Sequence, residues 1–275
     1  MTLPEDDLKY NFGCGSYGYK ADNPLKPLGR IPVGEIINKL DGFFNKNDLA
    51  GAGRLLSYWH SEAVRLRDKQ GELSVVNEEL GYFRKTAESL KALTAVERSI
   101  ELITELGAEN TVSSATIFLN AATTLKAFGK AEEALPLYDK ALKIYKANLS
   151  PNDKRFGGFY NNYGLTLADL KRYDEAENAF LNAIEVMLEN ENSKPEIAIT
   201  YVNLAHLYEV FEGRSEEDIK ICLDSAEEYL ADKDIVHNGY FAFVLSKCAP
   251  SFRHFGMLEK ALEMEKLSEA IYERS

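Results

Sequence analysis

Between Ile117 and Met187 the chain repeats itself with a period of 42 residues. Aligning Asn120-Ala121-Ala122 with Asn162-Tyr163-Gly164 carries Ala134 onto Ala176, Tyr138 onto Phe180 and Ala141 onto Ala183 without a gap. A third copy opens at Asn203-Leu204-Ala205 and, after a two-residue insertion near Gly213, recovers Leu223 and Ala226 at the Tyr138 and Ala141 positions. A fixed period of this size marks a stacked array, because one helix pair cannot bury its apolar face alone and must lean on a neighbour. The chain has 275 residues, more than one ordinary globular domain, but an array grows by adding units and needs no second core. One continuous domain is therefore expected, and a binding role fits it better than any single reaction.

The period divides the rest of the chain. Residues 1–32 hold Pro4, Pro24, Pro27 and Pro32 with Gly13, Gly15, Gly18 and Gly29, a density of breakers that predicts an irregular arm. Its aromatics Tyr10, Phe12, Tyr17 and Tyr19 are expected to anchor it on the array by apolar burial. From residue 33 to 275 helical spacing takes over, and six pairs are expected over about 34–70, 73–106, 115–150, 157–190, 197–231 and 238–273. In the second pair either Asn77 or Glu79 takes the Asn120 position, and in the sixth Lys247 stands there while Ala249, Gly256 and Ala261 hold theirs. Ala122, Gly164, Ala205, Ala134 and Ala176 are small enough for two helices to cross closely, and Tyr138 and Phe180 then fill the space between pairs. Ile219 at the Ala134 position, together with the inserted residues, predicts a slightly splayed turn in the fifth pair. Ser150-Pro151 and Lys194-Pro195 predict matched helix starts.

Composition excludes several classes. A formal charge of −12 and no basic run argue against nucleic acid and against an anionic membrane surface, both of which draw proteins through clustered Lys and Arg. No stretch approaches the roughly 18 apolar residues of a membrane span. The opening residues are acidic where an export signal needs bases, and Cys14, Cys222 and Cys248 are odd in number and far apart, so a reduced, cytoplasmic protein is expected.

The segment Ala131-Glu-Glu-Ala-Leu-Pro-Leu-Tyr-Asp-Lys-Ala-Leu-Lys-Ile-Tyr145 and the segment Pro195-Glu-Ile-Ala-Ile-Thr-Tyr-Val-Asn-Leu-Ala-His-Leu-Tyr208 resemble tetratricopeptide repeats of the long, kinesin-light-chain type. The likeness is strongest over residues 115–231, weaker over 34–106 and 238–273, and absent from the arm. It implies an all-α fold, a right-handed superhelical solenoid of about six antiparallel helix pairs, whose first helices line a concave groove that seats an extended peptide or a partner helix. Ala131, Ile219 and Lys247 depart from the family pattern.

Asn38, Asn120, Asn162 and Asn203 recur at one turn of the first helices. An amide that both donates and accepts can hold a peptide backbone in register, or can instead bond to neighbouring helices of the array. One turn on lie Thr123, Thr166 and His206, followed by Lys126, Asp169 and Glu209, whose chemistry changes from repeat to repeat as a selective surface requires, or as a solvated face allows. His206 has no Cys, Asp or second His at ligand spacing along the chain, so no metal and no cofactor is expected. Cys14 in Gly13-Cys-Gly-Ser-Tyr-Gly18 has no identifiable base, so catalysis is not expected either. The reading is a non-enzymatic scaffold binding a peptide or protein segment in its groove. A receptor for a short signalling peptide and a self-associating structural oligomer stay open beside it.

Overall fold

The computed structural model describes residues 26–274. Most of the arm, including Tyr10, Phe12, Cys14, Tyr17 and Tyr19, lies outside the described residues. Among the described residues there are twelve helices and no strand: α1 (Val33–Asn45), α2 (Leu49–Arg65), α3 (Lys69–Lys85), α4 (Ser89–Glu105), α5 (Val112–Ala127), α6 (Ala131–Asn148), α7 (Lys154–Asp169), α8 (Tyr173–Leu188), α9 (Lys194–Val210), α10 (Glu216–Leu230), α11 (Gly239–His254) and α12 (Leu258–Arg274). Consecutive helices pack as six pairs, and each second helix also leans on the first helix of the following pair up to α9. Odd helices touch odd helices in series, so α1, α3, α5, α7, α9 and α11 form an inner layer and the even helices an outer one.

The small residues do what their size predicts. Ala122, Ala134, Ala176 and Ala205 are fully buried at the crossings, and a Cβ on Gly164 would meet the Phe180 ring at 2.7 Å. Tyr138 and Phe180 are buried between successive pairs. α9 and α10 pack as closely as the pairs before them, so the widening is confined to their turn. The two extra residues are absorbed in the loop 211–215, and Ile219 sits half-buried against the core. Ser150-Pro151 does not start α7; Asp153 does, accepting from the Arg155 backbone N–H at 3.0 Å. A carboxylate at the N-cap serves the helix dipole as well as the open N–H groups, and so displaces the hydroxyl. Pro195 does sit in the first turn of α9.

Every turn inside a pair passes through the left-handed region. The residues are Asn47, Ala87, Gly129, Lys171, Gly213 and Gly256, with φ between +53° and +89°. Glycine adopts this conformation freely, whereas a Cβ there costs about 1–2 kcal/mol. Ala87→Gly and Lys171→Gly are each expected to raise stability by roughly 0.5–1 kcal/mol, less than the full strain because glycine also loosens the unfolded chain. Urea unfolding of the two variants measures it, and unchanged midpoints would count against the strain.

The inner layer meets its own end. A Cβ on Gly239, the first residue of α11, would lie 2.6 Å from Asn45 Cα and 2.9 Å from Asn45 O at the close of α1. Lys85 Nζ at the end of α3 lies over both the Phe44 ring of α1 and the Phe243 ring of α11, 5.2 and 5.1 Å from their centroids. The chain therefore winds once round within its six pairs, displaced along its axis because the tail of α1 abuts the head of α11. The concave face expected as an open groove is therefore bounded at this point, where the end of α1 touches the start of α11.

Candidate binding face

The asparagines line up across the inner helices, and they bond to each other. Asn120 Nδ2 donates to Asn77 Oδ1 at 2.8 Å, joining α5 to α3, and Asn203 Nδ2 donates to Asn161 Oδ1 at 2.9 Å, joining α9 to α7. This puts Asn77, not Glu79, opposite Asn120. Asn162 turns away and donates to the Gly158 carbonyl of its own helix, so Asn161 takes its place in the contact with α9. Thr200 Oγ1 donates to the same Asn161 oxygen at 3.0 Å. Both ladder pairs stay half-exposed, and the Oδ1 atoms of Asn120 and Asn203 have no partner among the described residues. Asn38 is exposed on α1 and takes no part.

The next turn is divided between core and surface. Thr166 is fully buried and lies 3.0 Å from the Tyr138 hydroxyl, so it holds the array together and is out of reach of a ligand. Thr123 donates to the Leu119 carbonyl and borders the same phenol at 3.4 Å. Lys126 of α5 pairs with Asp169 of α7 at 3.3 Å. Glu209 of α9 accepts from His254 Nε2 of α11 at 2.7 Å, and His206 Nε2 lies 2.8 Å from Ser251 Oγ. Burial first, then the neighbouring His254, pulls the His206 pKa down against the opposing pull of Glu209.

One cation on this face stands apart. Arg84 is half-buried at the end of α3 and has no carboxylate partner among the described residues, in a chain of net charge −12. Burial lowers its pKa from the usual arginine value, with only the Tyr138 phenol opposing. Arg84 lies 42 residues before Lys126, at the register of the Lys126 and Asp169 candidates. Close by, Lys85 and Lys247 flank the Phe243 ring at 5.1 and 5.4 Å. Burial first, and then Lys247, pulls the Lys85 pKa down. Glu78, one and a half turns back along α3, is pushed up by burial and by Asp41, with Asn77 opposing. A guanidinium without a carboxylate partner keeps its fork of donors free, and that fork matches carboxylate geometry.

Of the residues that sequence spacing singled out, the fold brings Asn120, Asn203, Lys126 and Asp169 onto adjacent inner helices. Spacing missed Arg84, Asn161 and His254. The period itself could have supplied the first two, by subtracting 42 from Lys126 and Asn203. Burial pushes the Cys222 and Cys248 thiols each up to about 12, where they stay protonated. Among the described residues no helix is long and apolar enough to cross a membrane.

Residues 79–147 and residues 158–186 each match a family model described as tetratricopeptide repeat. Comparison with curated protein sequences finds no match. The fold is similar to the crystal structure of BtubC (BKLC) from P. vanneervenii, with TM-score 0.53 and 16% identity over 82% of this chain and 90% of that one. It is also similar to a substituted form of a putative kinesin light chain with nearly identical TPR-like repeats from Podosopora anserina. There the TM-score is 0.50 and the identity 15% over 77% of this chain and 97% of that one.

Proposed function

Because the chain is a tetratricopeptide repeat protein, of a fold that generally serves as a non-catalytic scaffold for protein partners, we propose that it binds an extended protein segment along its concave inner face. The segment carries an acidic side chain or a terminal carboxylate over Arg84. The observation that carries this reading is Arg84 of the inner helix α3, without a carboxylate partner among the described residues, in the same layer of inner helices as the Asn120 and Asn203 amide oxygens that still have capacity to accept. Those oxygens suit backbone N–H groups of a chain lying across the ladder, while Lys126, Asp169 and Glu209 border it with charges that differ from repeat to repeat. The contact between the end of α1 and the start of α11 narrows access to the concave face and so favours a slender ligand over a globular one.

Selection from a displayed library of random peptides, followed by affinity measurement on the winners, tests this. Enriched sequences are expected to share an acidic position, and Arg84→Glu is expected to weaken them at least about ten-fold, the equivalent of roughly 1.4 kcal/mol or more for a desolvated charge pair turned repulsive. Folding should be unaffected, because Arg84 holds no ion pair in the free protein. Winners without an acidic position, or with affinities indifferent to Arg84→Glu, would overturn the assignment.

A further inference from the structure

We infer that His206 and Glu209 of α9 together with His254 of α11 form a binding site for one divalent cation of the zinc class. The chain places His206 and Glu209 on one face of a helix and His254 a whole repeat later, and the fold closes that interval. One ligand atom from each of the three lies within 4.8 Å of the others. His254 Nε2 is 2.7 Å from Glu209 Oε1, and His206 Nδ1 is 3.7 Å from Glu209 Oε2. A tetrahedral ion with bonds of about 2.0–2.2 Å holds its ligand atoms roughly 3.4 Å apart, between those two separations. The histidines and the glutamate are partly solvent-facing, so the short adjustment costs little packing.

The surroundings are those of a metal ligand set. Ser251 Oγ meets His206 Nε2 at 2.8 Å, which leaves Nδ1 turned toward Glu209 and fixes the ring. Phe255 packs against both imidazoles, with centroids 4.9 and 4.8 Å away, and walls one side from water. A crevice of about 840 Å³, bordered by Tyr208, Glu209, Arg214, His254 and Phe255, leaves room for a fourth ligand. Arg214 does not oppose a cation there, being held by Glu177. The remaining histidines among the described residues are otherwise engaged: His60 pairs with Glu79 at 2.9 Å and His237 stacks on Phe241. Two imidazoles and one carboxylate favour zinc, cobalt or nickel over magnesium or calcium. Three protein ligands and an open position leave a coordination site for water or for a side chain brought by a partner. Bound there, the ion staples the fifth pair to the sixth.

Titrating the metal-free full-length chain with Zn²⁺ by calorimetry tests the site, with Co²⁺ absorption as a second reading. One equivalent of Zn²⁺ is expected, undisturbed by excess Mg²⁺, and Co²⁺ is expected to give the visible band of a four-coordinate ion. Glu209→Gln and His254→Ala should each lower the affinity at least about ten-fold and abolish the band. Ser251→Ala should weaken binding by roughly ten-fold through the loosened His206 ring, and His237→Ala should leave it unchanged. Zn²⁺ uptake that persists in a folded His206→Ala/His254→Ala double variant, or no uptake by the wild type, would overturn the inference.

Discussion

Tyr138→Ala is expected to lower unfolding stability by about 4 kcal/mol, the middle of the range for removing a large buried ring. The side chain is almost wholly buried and is the hinge pin between the third and fourth pairs. Its ring meets Phe159 edge-on at 5.8 Å and Tyr163 at 5.3 Å, both on α7. Its hydroxyl donates to the Asn162 carbonyl at 3.2 Å and accepts from Thr166. Burial raises the phenol pKa, against Thr123 and Thr166, so it remains a donor through neutral pH. Tyr138→Phe isolates the polar part and should cost only about 1 kcal/mol, since Thr166 can still donate to the Asn162 carbonyl. In a solenoid each pair is held mainly by its neighbours, so weakening one interface divides the array. Hydrogen exchange on Tyr138→Ala should therefore show α1–α5 and α7–α12 opening as separate units where the wild type opens more nearly as one. A loss below about 2 kcal/mol with uniform exchange would show that this interface does not couple the two halves.

How far the sequence disclosed this architecture depends on distance along the chain. The crossing residues Ala122, Gly164 and Ala205 were legible because a 42-residue period repeats one local demand, close approach at one turn of a helix. The ladder was legible only in part. Asn161 and Asn162 are neighbours, and which of them faces α9 depends on a rotation of about 100° that periodicity alone does not specify. His254 was hidden because insertions between α9 and α11 put it 45 residues from Glu209, outside the repeat register. The meeting of α1 with α11 was hidden for a different reason. It depends on the small rotation between pairs summed around a whole turn, and no single residue encodes that sum, although Gly239 permits its outcome.

Asp68 is another residue whose role crosses repeats. It is buried, caps α3 by accepting from the Gly71 N–H at 3.1 Å, and accepts from the Ile31 N–H at 2.9 Å and from Arg30 at 2.5 Å. It thus pins the segment that enters α1 onto the second repeat, helped by the Leu28 N–H donating to the Leu66 carbonyl at 2.8 Å. Asp68→Ala strips the cap and leaves the Ile31 N–H buried without a partner, at an expected cost of about 3 kcal/mol. Arg30 adds little, since its side chain is 63% exposed. Burial alone would raise the carboxyl pKa, but the Ile31 and Gly71 N–H groups and Arg30 together outweigh it and hold the pKa below the usual aspartate value. A pKa lower in the folded than in the unfolded chain means that the stabilisation is present in full above about pH 4, the unfolded value, and is lost as pH falls through the folded one. Asp68→Asn keeps an acceptor for the cap and cannot titrate, so it should lie between wild type and Asp68→Ala at neutral pH. The gap between wild type and Asp68→Asn, followed by urea unfolding, should be constant from about pH 7 to 5 and should narrow on further acidification. A gap that widens toward acid would mean that the carboxyl is held protonated in the fold and that the cap is not ionic.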